Sequence, residues 1–202
     1  MNYPMASAAE AEAFTVAQVV LHERQGRDRG WWEQMGKCFW PDSTVRLSWY
    51  DGDGPGFVAG SETLAQAGLV TTHQMFSPVV HVHGDKAHVE APTTVRAAVV
   101  VDAVRGDVLS HTRLNYRLER RDGEWRILSL DPIYEHTTLT PSVPGERIEI
   151  PAEKLARFRA SYAILAWDAW RSGRSVSDHL LGDDRPEPVA AFYAELRKWL
   201  VG

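Results

Sequence analysis

The chain has 202 residues, an apolar fraction of 44% and a net charge of −5 with a pI near 5.9. That suffices for a buried core in one domain with an extension, or two small ones, while the acidic balance and the lack of any Lys/Arg run argue against a nucleic-acid partner. No apolar run approaches the roughly 20 residues of a bilayer span, the start carries no signal-peptide pattern, and the lone Cys38 permits no intrachain disulfide, so we expect a cytoplasmic protein with no membrane partner.

Taken in chain order, Ser7 is a candidate N-cap for a helix over residues 8–25. Its apolar residues Ala13, Val16, Ala17, Val20 and Leu21 recur at helical spacing. Gly26 and Gly30 punctuate that helix, and residues 31–39 read as a second short helix ended by Pro41. Residues 44–50 alternate in strand formers, 51–56 form a glycine-rich loop, and 61–67 fit a third helix. Strands follow at 74–83 and 86–92, joined by the tight-turn pair Gly84-Asp85. Two more, 94–104 and 108–120, flank a turn at Arg105-Gly106-Asp107, and Arg121-Asp122-Gly123 leads into a last strand at 124–134. Helices first and antiparallel strands after them is an α+β order.

Beyond a linker marked by Pro141, Pro144 and Pro151, two amphipathic helices are expected. The first opens at Pro151, presents Leu155, Phe158, Tyr162, Leu165 and Ala169 on one face, and stops at Gly173. The second follows Pro188, with Val189, Phe192, Tyr193, Leu196 and Leu200. Such stripes cannot be left in water, so both helices are expected to dock on the domain or on a second copy. The eight tryptophans suggest pocket walls or an interface as well as core.

Three segments carry a family resemblance. They are Arg27-Asp28-Arg29-Gly30-Trp31-Trp32 leading into Cys38-Phe39-Trp40-Pro41-Asp42, then Thr71-Thr72-His73-Gln74, then Arg121-Asp122-Gly123-Glu124-Trp125-Arg126-Ile127. In this order they resemble the SnoaL-like branch of the nuclear-transport-factor-2-like superfamily, which includes polyketide cyclases, scytalone dehydratase, ketosteroid isomerases and limonene epoxide hydrolase. The resemblance covers about residues 8–135. It implies a cone, in which a curved antiparallel sheet wraps an N-terminal helix, over residues 1–140. Residues 141–202 are then a helical C-terminal extension. It also implies a one-ended pocket holding Asp28 and His73, and it favours a homodimer.

The resemblance further implies roles. An Asp four residues before a Trp pairs with a His at the start of a later strand, as Asp28 would with His73. A carboxylate on one ring nitrogen fixes the tautomer and raises the basicity of the other nitrogen, which can then take a proton beside a carbonyl. Scytalone dehydratase adds two tyrosines and a second histidine, and those positions fall here on Arg27, Leu47 and Ala97, so the acid half of the chemistry is unassigned. Trp49, Tyr50, Tyr116 and Tyr134 are the other candidate pocket donors. Trp32, Thr112, Leu114 and Trp125 complete the expected wall, with Thr112, Leu114 and Tyr116 alternating inward against His111, Arg113 and Asn115.

Other motifs are weaker. Asp51-Gly52-Asp53-Gly54-Pro55-Gly56 with Glu62 approaches a calcium loop, yet Pro55 supplies no ligand oxygen and no helix precedes it. His81, His83 and His88 could share one hairpin face as zinc ligands, but exposed histidines are the simpler reading. Cys38 reads as core, and no G-x-S-x-G hydrolase elbow occurs. The expectation is therefore an enzyme of lyase or isomerase type, needing no cofactor or metal, acting on a small apolar or aromatic molecule. The alternative is a non-catalytic binding or structural module of the same fold.

Overall fold

The computed structural model describes residues 8–69 and 71–202, so the expected Ser7 cap lies outside the described residues. Helix α1 (Ala8–Arg29) runs past Gly26 and ends where Gly30 turns left-handed at φ +69°. The Trp31 amide closes the helix end on the Gly26 carbonyl at 2.8 Å, as the left-handed residue requires. Gly26 is thus not a stop. A Cβ there would stand 3.0 Å from the Met35 backbone nitrogen, so the missing side chain lets α2 (Trp32–Lys37) fold back closely against α1.

Strand β1 (Phe39–Arg46) begins earlier than residue 44 and contains Pro41. It pairs in parallel with β7 (Glu124–Pro141), and the register is irregular between Phe39 and Thr44, where a proline removes no ladder bond. The glycine-rich 51–56 segment splits into β2 (Asp51–Asp53) and the start of α3 (Gly54–Gln66). Asp53 caps that helix, its Oδ1 accepting from the Gly56 amide at 2.7 Å, and so serves as a cap rather than a calcium ligand.

The remaining strands are β3 (Thr71–Met75), β4 (Val79–His83), β5 (Lys86–Val101) and β6 (Val104–Arg121). The sheet order is β2-β1-β7-β6-β5-β3, with β4 also on β5. The sheet is antiparallel apart from the parallel pairing of β1 with β7 and of the short β8 (Leu181–Gly182) with β7. The Gly84-Asp85 hairpin forms with His83 opposite Lys86. The next turn does not sit at Arg105-Gly106-Asp107. Asp102 and Ala103, at φ 47° and 68°, make it instead, so β5 stops at Val101 but runs unbroken from Lys86 through both expected strands, and β6 starts four residues early. Gly106 lies inside β6 because a Cβ would come within 2.6 Å of Ile148, which crosses it.

Alternation along β5, β6 and β7 puts one residue set on the concave face. Val89, Tyr116 and Leu130 align across the three strands, as do Ala91, Leu114 and Pro132. These pack on Val16 and Val20 of α1, both fully buried, and this is where the core sits. A bulge between His111 and Thr112 increases the curl of the long strands. The result is an α+β cone around α1.

The expected helix from Pro151 to Gly173 is broken. It becomes α4 (Ala152–Leu155), a single 3-10 turn at Ala160–Tyr162, and α5 (Ala163–Arg171). The break falls at Arg159, whose backbone is extended and whose guanidinium is held by the Asp178 and Leu180 carbonyls and the Asp184 carboxylate. Gly173, at φ +73°, does end α5. Helix α6 (Pro186–Val201) docks on the convex face of its own sheet. There Tyr193 donates to Glu90 at 2.6 Å and Arg117 stacks under Phe192 and Trp199. No helix among the described residues is long and apolar enough to cross a membrane.

Candidate active site

The buried stripe of α1 changes character along its length. Val16 and Val20 are followed on the same face by Glu23, Arg24 and Arg27, which are only 0%, 4% and 8% exposed. The helix therefore carries its apolar residues into the core and its charges to the open end of the cone. Opposite them, β3 alternates with Thr71, His73 and Met75 turned inward, and His73 pairs with Val95 in the ladder.

Asp28 and His73 meet, 45 residues apart in sequence. The Asp28 Oδ1 lies 2.6 Å from His73 Nδ1, and Oδ2 accepts the His73 backbone amide at 2.7 Å. The same strand residue thus engages both carboxylate oxygens, which locks the ring and the strand start together. On the other ring nitrogen, Arg24 Nη1 stands 3.2 Å from Nε2. A guanidinium has no acceptor, so Nε2 must be the bare nitrogen and Nδ1 the one carrying hydrogen toward Asp28. Burial pushes His73 below its ordinary value of 6.5. The Asp28 hydrogen bond opposes this and the Arg24 charge adds to it. Asp28 is pushed up by burial but held below the usual carboxylate range by its bonds from His73. The site at neutral pH is a neutral imidazole on an ionised carboxylate.

Arg24 is itself anchored by Glu23, with Nε on Oε2 at 2.5 Å and Nη2 on Oε1 at 2.6 Å; the Tyr116 hydroxyl adds a bond to Glu23 at 3.3 Å. Burial disfavours the Arg24 cation, but the charge and hydrogen bonds of Glu23, with Tyr116 and Asp28 nearby, together outweigh it and keep it fully protonated. Arg27 has no such partner. It makes no hydrogen bond or ion pair with any described residue and lies over the Trp49 ring, 5.7 Å from the centroid. Burial, then the Arg24 charge, pushes it down to about 10.

These groups open onto a cavity of about 470 Å³. Arg24, Arg27, His73, Thr71, Ser48 and Ser110 give it polar groups, interleaved with an apolar wall of Leu47, Trp49, Phe57, Val95, Ala97 and Leu114. Leu165, Asp168 and Ala169 of α5, with Arg174 and Val176 beyond it, also line it. Of the expected wall, Trp49, Thr112, Leu114 and Tyr134 line this cavity, Tyr134 with its hydroxyl accepting the Ser48 amide at 3.0 Å. The other four do not. Tyr116 lies fully buried behind it on Glu23, and Tyr50 turns to the Asp53 carbonyl at 2.9 Å. Trp32 and Trp125 line a separate groove with Trp31 and Cys38, because α2 folds across the outer side of α1.

Of the other motif residues, His81 faces His88 across the hairpin and His88 is tied to Asn115 at 3.0 Å; among the described residues no three metal-binding side chains converge. Burial pushes the Cys38 thiol up to about 12, as fits a core residue. Sequence reasoning missed Glu23 and Arg24, although the step Val16, Val20, Arg24, Arg27 already places both arginines on the buried stripe.

A model of the SnoaL-like domain matches residues 12–131. No curated protein matches in sequence. Among solved structures, the chain is similar to the hexachlorocyclohexane dehydrochlorinase LinA-type3 from Novosphingobium barchaimii, at 16% identity and a TM-score of 0.56 over 70% of this chain and 96% of that one. It is similar also to a protein from Novosphingobium aromaticivorans named for scytalone dehydratase, at 14% identity and a TM-score of 0.54 over 69% of this chain and 96% of that one.

Proposed function

Because the chain belongs to the SnoaL-like domain family, we propose that it is a small-molecule enzyme of lyase or isomerase type, with His73 as base, Asp28 as its positioning residue, and an apolar or aromatic substrate. The observation that carries this reading is the Asp28–His73 pair beside a largely apolar cavity, with Nε2 free of hydrogen and accepting from Arg24 Nη1. Elimination is also the reaction for which the dehydrochlorinase and dehydratase of similar fold are named.

The residues suggest a balanced sequence of events. Substrate entry tilts the rigid Arg24 guanidinium as a unit, taking Nη1 off Nε2 and loosening its two bonds to Glu23. Nε2 takes a proton from carbon, and the freed electron pair either moves onto an adjacent carbonyl or expels a leaving group. Asp28 holds the resulting imidazolium, and the displaced Arg24 edge faces the anion that forms. The arginine thus fills the acid half that sequence left unassigned, as an electrostatic stabiliser in a water-poor site.

The test is a panel of apolar ketones, with and without a β-leaving group, followed by NMR in deuterated water. Wild type should exchange or eliminate on at least one member, and His73→Ala should not. Equal rates for the two proteins would overturn the reading. One observation favours a second reading, a non-catalytic binding module: Arg24 already occupies the nitrogen a base needs. Wild type binding but never turning over any panel member would establish that alternative.

We also read residues 1–140 as the family domain and 141–202 as its extension, and assign the cytoplasm on the lone, buried Cys38 thiol. A homodimer is our reading of the assembly, since Phe76 and Val79 leave exposed apolar side chains beside the edge strands β3 and β4. Sedimentation of a monomer at micromolar concentration would contradict it.

A further inference from the structure

We propose that the ligand of this cavity carries a carboxylate, and that Arg27 is the residue that receives it. This rests on reading the cavity as the ligand site, but not on His73 acting as a base. Among the described residues three arginines line the cavity, and only Arg27 combines burial with donors that no protein group accepts. Arg24 has both Glu23 oxygens and the His73 ring. Arg174 lies 3.8 Å from Asp168 and its side chain is nearly half exposed. Arg27 is more than nine-tenths buried, lines the cavity, and bonds to no described residue.

A guanidinium largely withdrawn from bulk water, its donors reaching only the cavity and meeting no protein acceptor, is costly. The Trp49 ring face offsets part of that cost but leaves the in-plane N–H donors unmatched. Those donors form a planar fork whose spacing fits the two oxygens of a carboxylate. The protein's own carboxylates are unavailable to it: Glu23 is committed to Arg24, and Asp28 to the ring and amide of His73. A ligand in the cavity can supply the acceptor that no described protein group gives Arg27. The apolar walls supplied by Leu47, Trp49, Phe57 and Val95 set the rest of its chemistry. The class is a small amphipathic acid, with an apolar or aromatic body ending in one carboxylate. Its anion meets Arg27, and its body lies against those apolar walls.

A matched pair of probes, 1-naphthoate and its methyl ester, tests this by Trp49 fluorescence quenching and calorimetry on the full chain. Wild type should bind the acid roughly ten- to a hundredfold more tightly than the ester, the range of a hydrogen bond to a charged group. Arg27→Gln should bring the two within about threefold by weakening the acid alone, and Arg27→Lys should retain part of the preference. His73→Ala should keep the acid preference even where it abolishes proton transfer, so the two readings fail separately. Equal binding of acid and ester by wild type, binding of neither up to millimolar concentration, or an unchanged preference in Arg27→Gln would overturn the proposal.

Discussion

Two arginine clusters lie on opposite faces of the same sheet, and they are built differently. On the convex face Arg113 pairs with Glu90 at 2.8 Å and Glu135 at 2.7 Å, and Tyr193 of α6 completes Glu90. Each of those groups has a protein partner, and the cluster fastens the C-terminal helix to the sheet. On the concave face Arg24 is anchored but keeps one edge on a histidine, and Arg27 lies over the Trp49 ring with no hydrogen bond or ion pair to any described residue. A structural network is closed within the chain, whereas a site for ligands leaves donors over. The difference separates the two faces more sharply than charge or burial alone.

The largest effect expected from breaking the concave cluster is on chemistry. For whichever panel substrate turns over, His73→Ala should lower kcat/KM by on the order of 10²–10⁴-fold, the usual contribution of a positioned base. Asp28→Asn should lower it while leaving KM nearly unchanged, since it disturbs the tautomer and not the pocket. Steady-state kinetics on the folded variants checks both.

Next in size is stability. Glu23→Gln leaves the Arg24 cation buried beside an uncharged amide, and breaking a buried pair in this way costs about 3–5 kcal/mol. Thermal denaturation should show a clear drop in Tm. A change equivalent to less than about 1 kcal/mol would mean that Arg24 is not held by Glu23.

The pH dependence is smaller and has two limbs. His73 is lowered in the folded state, so the unfolded chain binds more protons below the ordinary value of 6.5. The stability and activity supported by neutral His73 are present above that value and are lost as pH falls through the lowered folded one. Arg27, pushed down to about 10, should lose its hold on 1-naphthoate as pH rises through that value. Binding of the methyl ester should show no alkaline limb, which isothermal titration across pH can check.

The smallest change belongs to the convex face. Tyr193→Phe removes one hydrogen bond to Glu90 and should cost about 1 kcal/mol of stability, with no change in probe binding. Denaturant titration beside a binding curve separates the two outcomes.

Much of the fold was legible because hydrophobic period and turn residues point the same way. The alternating 108–120 and 124–134 segments, joined at Asp122-Gly123, read correctly as strands. What escaped were features decided by tertiary contact. The Asp102-Ala103 turn has no glycine, and both residues adopt positive φ because the long β5–β6 register demands it. Gly26 and Gly106 looked like breaks but are points of close approach to Met35 and Ile148. At the site, the pair Asp28 and His73 was suggested by family-like segments and does meet. Trp32 and Trp125, suggested by the same segments, face another groove, since a motif fixes neighbours in sequence and not the side of a helix they occupy. Glu23 and Arg24 were readable from the helical step alone, had the buried stripe been followed past its last valine.

His73 keeps Nε2 free of hydrogen, accepting from Arg24 beside the cavity, while Asp28 holds Nδ1–H. Nitrogen-15 NMR of the labelled ring across pH tests it most directly. The geometry predicts the neutral Nδ1–H tautomer at pH 7, titrating below the ordinary value of 6.5, with Nε2 shifting as a ligand displaces Arg24. An imidazolium at pH 7, or an Nε2–H tautomer, would contradict it, because neither leaves a lone pair on Nε2 to accept a proton.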